Sequence, residues 1–70
     1  MKQTIDARGL SCPEPLVLLQ KGIRSGATDI IITVDNPVSL ENIVRYAKGK
    51  YGVVANVTQN GDESSIAIRL

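Results

Sequence analysis

The sequence predicts an α+β two-layer sandwich of order β-α-β-α-β-β, with two helices packed on one face of a four-stranded mixed sheet. Three observations carry that prediction. Two amphipathic stretches, each opened by proline, alternate with short β-branched runs. An Asn60-Gly61 pair separates the last two runs and signals a hairpin. Seventy residues suffice for one domain, 1–70, near the lower limit at which a hydrophobic core stabilises a chain unaided.

The elements follow in order. Lys2 to Asp6 reads as a first strand with Ile5 as its core contact. Ala7 to Ser11 is a loop broken by Gly9, which supplies a backbone conformation closed to other residues. A helix follows, capped at Ser11 or Cys12 and running to about Ser25. Pro13 sits in its first turn, and Pro15 is tolerated there because the first N–H groups of a helix lack intrahelical partners. Leu16, Leu19 and Ile23 recur at three- and four-residue spacing and define the buried stripe. Leu18 falls nearly opposite that stripe, and Val17 to one side. Gly22 weakens the helix by about 1 kcal/mol relative to Ala, a cost that fits close packing of a strand there. Gly26 ends the helix.

Ile30 to Val34 is the strongest strand, with Ile30, Ile32 and Val34 on one face. Asp35-Asn36-Pro37 then gives an Asx cap with proline at the first helical position. Leu40, Ile43, Val44 and Ala47 mark the second helix, which closes between Gly49 and Gly52 with Lys48 and Lys50 in its last turn. Val53 to Thr58 alternates as a third strand. Asn60-Gly61 favours a turn with positive φ at its central residues, and Ile66, Ile68 and Leu70 form the inner face of the closing strand.

Composition excludes several function classes. The net charge is +1 with both signs interspersed, which argues against direct nucleic-acid or membrane-surface binding. No run approaches the roughly 20 apolar residues of a membrane span, and no signal peptide is recognisable. A single cysteine fits a reducing compartment, so the expected location is the cytoplasm. The chain contains no histidine, which removes Cys-His dyads, Ser-His-Asp triads and most zinc sites. No metal and no cofactor are expected.

Cys12 is the candidate for chemistry. A lone intracellular cysteine is most often a small buried hydrophobe. Cys12, however, precedes the apolar stripe of its helix instead of joining it. The free N–H groups and partial positive charge of a helix start stabilise a thiolate, and Arg8 is placed to add a cation. With neither a second thiol nor a histidine, an internal dithiol cycle and papain-like acyl transfer both fall away. What remains is a sulfur loaded by one partner and emptied by another, as a persulfide or an analogous selenium adduct.

The pattern Asp6-x-Arg8-Gly9-Leu10-x-Cys12-Pro13-x-Pro15 resembles the signature of the TusA/SirA-like sulfur-carrier family, over essentially the whole chain. The resemblance implies that Cys12 accepts sulfur as a persulfide from a cysteine desulfurase-type donor. It implies that the sulfur then passes to a downstream acceptor protein, in tRNA thiolation or in other sulfur or selenium metabolism. Such a protein is more a co-substrate than a turnover enzyme. The segment from Asp35-Asn36-Pro37 through Asn42, Val44 and Arg45 is closest to the selenium-associated YedF-like branch of that family.

The remaining motif residues carry two readings each. Asp6 and Arg8 form either an exposed ion pair or a device that orients the Cys12 loop. Glu14 either complements the helix dipole or moderates the thiolate. Leu10, Val17 and Leu18 are either ordinary surface apolars or a partner-docking patch. Arg45, Lys48 and Lys50 form a loose basic cluster, read first as a solvated helix end. The rival function is a small RNA-binding or regulatory interaction module in which Cys12 is structural. The chain is expected to act as a monomer.

Overall fold

Ile30, Ile32 and Val34 alternate with residues of the opposite face and give the sheet its centre. In the computed structural model, which describes residues 2–10 and 14–70, all three are buried in strand β2 (Asp29–Val34). Strand β1 (Lys2–Asp6) pairs with β2 in parallel through Lys2↔Asp29 to Asp6↔Thr33. Strand β4 (Glu63–Arg69) lies antiparallel on the other side of β2, and β3 (Asn56–Asn60) is antiparallel to β4. The order across the sheet is therefore β1-β2-β4-β3, mixed as expected. Helix α1 (Glu14–Arg24) packs on β1 and β2, and α2 (Pro37–Tyr51) packs beside it over β4. Among the described residues, no helix is long and apolar enough to cross a membrane.

The core is aliphatic, because the chain has no Phe or Trp to fill it. Ile5, Ile30, Ile32, Ile66 and Ile68 from the sheet meet Leu19, Ile43 and Ala47 from the helices. Helix α1 is rotated from the expected stripe. Pro15, Leu19 and Gly22 are its buried residues, while Leu16 and Ile23 are half-buried flanks. Leu18 is likewise half-buried and packs against the core, not opposite it as the wheel suggested. Gly22 explains the rotation. A Cβ there would meet Ile5 Cδ1 at 3.3 Å and Ile30 Cδ1 at 3.5 Å, so the missing side chain lets this face of α1 settle on β1.

Both helix ends are closed by glycine. The Gly26 N–H reaches Ile23 O at 3.1 Å and the Ala27 N–H reaches Gly22 O at 3.3 Å, the paired bonds of a Schellman end. At the start of α2, Asn36 Oδ1 accepts from the Ser39 N–H at 2.7 Å, with Pro37 in the first turn.

The second half departs from expectation in two places. Strand β3 begins at Asn56, not Val53, and runs to Asn60. Val53 is instead spent on ending α2, its N–H bonding Ala47 O at 3.2 Å, and Val53 and Ala55 pack partly on the core as a connector. The hairpin turn is Gly61-Asp62, since Asn60 pairs with Glu63. Gly61 has φ 66° and no non-glycine residue among those described has positive φ, so only the first central residue is left-handed, the II′ arrangement. Leu70 lies beyond β4 and is 40% exposed, so the buried face of β4 is made by Ser64, Ile66 and Ile68.

Candidate functional site

The parallel pairing of β1 and β2 brings their carboxyl ends to one edge of the molecule. Because Val34 pairs with Ser64, the start of β4 and the Gly61-Asp62 turn lie at that same edge. The loop after β1, the start of α1 and the start of α2 join them. This is the end of an α/β sheet at which loops and helix starts converge on ligands or partners.

The loop is fastened from three directions. Ala7 is fully buried and extends the β1 ladder by one bond, its N–H reaching Thr33 O at 2.8 Å. Asp6 then folds back on Arg8. Its Oδ1 accepts from the Arg8 N–H at 3.1 Å and from Arg8 Nε at 2.9 Å, while Oδ2 accepts from Nη2 at 2.9 Å. The free side of the guanidinium, Nη1, donates to Glu63 Oε2 at 3.0 Å. Gly9 stands at φ 77°, a conformation that L side chains rarely adopt, and its N–H donates to Asp35 Oδ2 at 2.8 Å.

The charges follow from these contacts. Arg8 hydrogen bonds, first to its side chain and then through the Arg8 main chain, hold the Asp6 carboxyl down to about 2. Asp6 first, then Glu63, raises the Arg8 pKa still further above the ordinary arginine range. The guanidinium is therefore committed to two carboxylates. Whether Arg8 also faces the Cys12 sulfur, as the sequence suggests, lies outside the described residues. Counting Asp6, Glu63 and Asp35 against Arg8, the loop's anchorage is acidic.

Cys12 and Pro13, with the helix cap expected at Ser11 or Cys12, lie outside the described residues. Around them, the structure places Glu14 exposed in the first turn of α1 and Pro15 buried in the core. Leu10 and Leu18 are half-buried against the core, and Val17 is half-buried. Asp6 and Arg8 thus share a network with Glu63, while Gly9 is held separately by Asp35, and both of these partners were missed by sequence reasoning. Glu63 is 55 residues from Arg8 and carries no local signal. Asp35 was half visible: in the Asp35-Asn36 doublet only one side chain can cap α2, and Asn36 does so, which leaves Asp35 for Gly9.

The other face of the sheet carries Thr4, Ile31, Thr33, Thr58, Ser65 and Ala67, without an aromatic ring. Both tyrosines are on α2, where Tyr46 and Tyr51 pack edge to face at 5.9 Å. The base-stacking platform of sheet-type RNA binders is therefore missing from that face. In the basic cluster, Arg45 pairs with Glu41 one turn away.

Known proteins share this fold. The crystal structure of a SirA-like protein from Desulfitobacterium hafniense superimposes with a TM-score of 0.82 at 27% identity, covering 96% of this chain and 95% of that one. The sulfur carrier protein TusA of Buchnera aphidicola subsp. Baizongia pistaciae is 41% identical over 46 residues. That match covers 63% of this chain but spans only 58% of the Buchnera protein's length. The family model described as sulfurtransferase TusA matches residues 3–70. Matched along nearly its whole length, the chain belongs to the TusA family.

Proposed function

We propose that this protein is a sulfur carrier, with Cys12 as the sulfur-bearing residue. The observation that carries the reading is a family match over residues 3–70 that contains one cysteine, set in the Cys12-Pro13-x-Pro15 motif. The Cys12 thiolate attacks the outer sulfur of a persulfide on a cysteine desulfurase-type donor. The donor's S–S bond breaks, the donor leaves as a thiolate, and Cys12 becomes a persulfide. A nucleophile on the acceptor protein next takes the terminal sulfur and returns Cys12 to the thiolate. Sulfur changes hands without net oxidation, so neither step calls for a cofactor or a metal.

The absence of a second cysteine supports the same reading, since a neighbouring thiol would attack the persulfide and discharge it prematurely. Asp6, Arg8 and Gly9 serve as positioning residues for the loop that leads to Cys12, and Pro15 anchors the first turn after it. Glu14 tempers the thiolate. Leu10, Val17 and Leu18 contribute to the partner-facing surface. The carrier acts as a cytoplasmic monomer, a co-substrate of its donor and acceptor, in tRNA thiolation or in YedF-like selenium metabolism.

Incubation with a cysteine desulfurase and cysteine should add one sulfur mass to Cys12. Cys12→Ser should melt like the parent and never load. A variant that unfolds would instead make Cys12 structural, and a parent that stays unloaded beside a carrier loaded under the same conditions would refute the proposal. The thiol should react with alkylating reagents in the native state, with a pKa below the free-cysteine value of about 8.5.

A further inference from the structure

The geometry points to a second docking surface, separate from the Cys12 loop: the outer edge of β3 and the groove beside it take an extended, acidic segment of a partner protein as a fifth strand. Strand β3 is paired only with β4 and is exposed at every residue from Asn56 to Asn60. Across a two-residue hairpin the flanking pair, Asn60↔Glu63, exchanges both main-chain bonds, and alternation then turns the N–H and C=O of Gln59 and Val57 outward. Natural sheets guard such edges with lysine, proline or a bulge. Residues 53–61 contain no charge and no proline, and the β3–β4 register runs from Asn56↔Ala67 to Asn60↔Glu63 without interruption. The opposite edge, β1, carries Lys2 and Asp6.

A groove accompanies the open edge. Val57 lies opposite the buried Ile66 and so faces the helical layer, but α2 sits over β4 and leaves Val57 40% exposed. Leu40 and Val44 form the other wall, with Pro37 at one end and Lys48 at the other. An added strand would present every second side chain to this apolar trough while its backbone pairs with Val57 and Gln59, the combination by which sheet edges recognise peptides.

Charge selects the occupant. Glu41 is neutralised by Arg45, whereas Lys48 has no ion-pair partner among the described residues. A second copy of this chain would offer its own β3, which is neutral throughout and brings no carboxylate to Lys48. A partner strand with alternating apolar residues and one Asp or Glu satisfies all three features. The contact is small and belongs to the weak, transient class of interfaces.

The test uses the full chain and a blocked octapeptide of alternating valine and threonine with one glutamate, followed by amide and methyl NMR. Expected are shifts at Val57 and Gln59 and at the Leu40 and Val44 methyls, saturating at millimolar peptide. N-methylation of alternate peptide bonds should abolish them, and Lys48→Glu should weaken binding about fivefold. Gln59→Pro removes only an outward N–H, so the variant should fold and lose the peptide. If that variant does not fold, the N-methylated peptide tests the same bond from the other side. Shifts elsewhere, equal binding of the N-methylated peptide, or concentration-dependent dimers that protect the β3 amides would each overturn the inference.

Discussion

Gly22 and Gly49 both sit within helices, yet replacing them by alanine should move stability in opposite directions. Each substitution removes the backbone freedom of glycine, a gain of about 1 kcal/mol in a helix interior and less near an end. At Gly49 a Cβ meets nothing within 4 Å, so the gain is kept. At Gly22 the new methyl would lie 3.1 Å from Gln3 Oε1, 3.3 Å from Ile5 Cδ1 and 3.5 Å from Ile30 Cδ1. The Gln3 amide is the tip of a flexible side chain, held only by a long 3.4 Å contact with Ser25 Oγ, and it can turn aside. Ile5 and Ile30 belong to the core, where accommodating an extra methyl costs about 1–3 kcal/mol. Gly22→Ala should therefore be destabilised by about 1 kcal/mol, or roughly 4–8 °C in Tm for a domain of this size. Gly49→Ala should melt a few degrees above the parent. Urea titration at constant m-value would measure both. Trimming Ile5 to valine removes the Cδ1 atom, so in the Gly22→Ala background it should cost at least about 0.5 kcal/mol less than it does alone. If Gly22→Ala stabilises as much as Gly49→Ala, the close approach of α1 to β1 is not a constraint and the reasoning fails.

Three further outcomes are expected. Asn36→Ala removes the cap on the Ser39 N–H and should cost about 1 kcal/mol in urea unfolding, with Asn36→Asp retaining most of the stability. Because the Asp6 pKa is depressed in the fold from 3.8 to about 2, its contribution is present above pH 4 and is lost as the pH falls towards 2. The stability difference between parent and Asp6→Asn should accordingly be flat above pH 4 and shrink in acid; a difference that grew in acid would contradict the ion pair. Asp35→Ala should cost about 1 kcal/mol locally, seen as about fivefold faster amide exchange at Gly9 and a changed rate of Cys12 alkylation. An unchanged Gly9 amide would show that Asp35 does not hold the loop.

The fold was legible because its signals are local. The prolines and Asx residues mark helix starts, and Ile30 to Val34 alternates without interruption. Glycine ends both helices, and Gly61 fixes the hairpin. Where the reading slipped, a tertiary contact outweighed the local pattern. Gly22 rotated α1 towards β1 and carried Leu18 into contact with the core. The end of α2 recruited Val53, and the hairpin ladder counted back only as far as Asn56. The site divides in the same way. Asp6, Arg8 and Gly9 are neighbours whose spacing suggested an ion pair and a special backbone conformation, and both are present. Glu63 and Asp35 reach the loop only through the strand order β1-β2-β4-β3, which no local pattern contains.

That strand order also sets a sequence of events. β4 is the last strand of the domain to emerge during synthesis, yet it occupies an interior position, between β2 and β3. Until it inserts, β2 has an open edge, β3 has no partner at all, and Arg8 lacks Glu63. The loop leading to Cys12 is made early in the chain but acquires its full anchorage only when the final hairpin closes. Non-local closure of this kind slows folding relative to a helical bundle of equal length. It also means that an incomplete chain, even one bearing the cysteine, would not yet present the fastened loop of the finished domain.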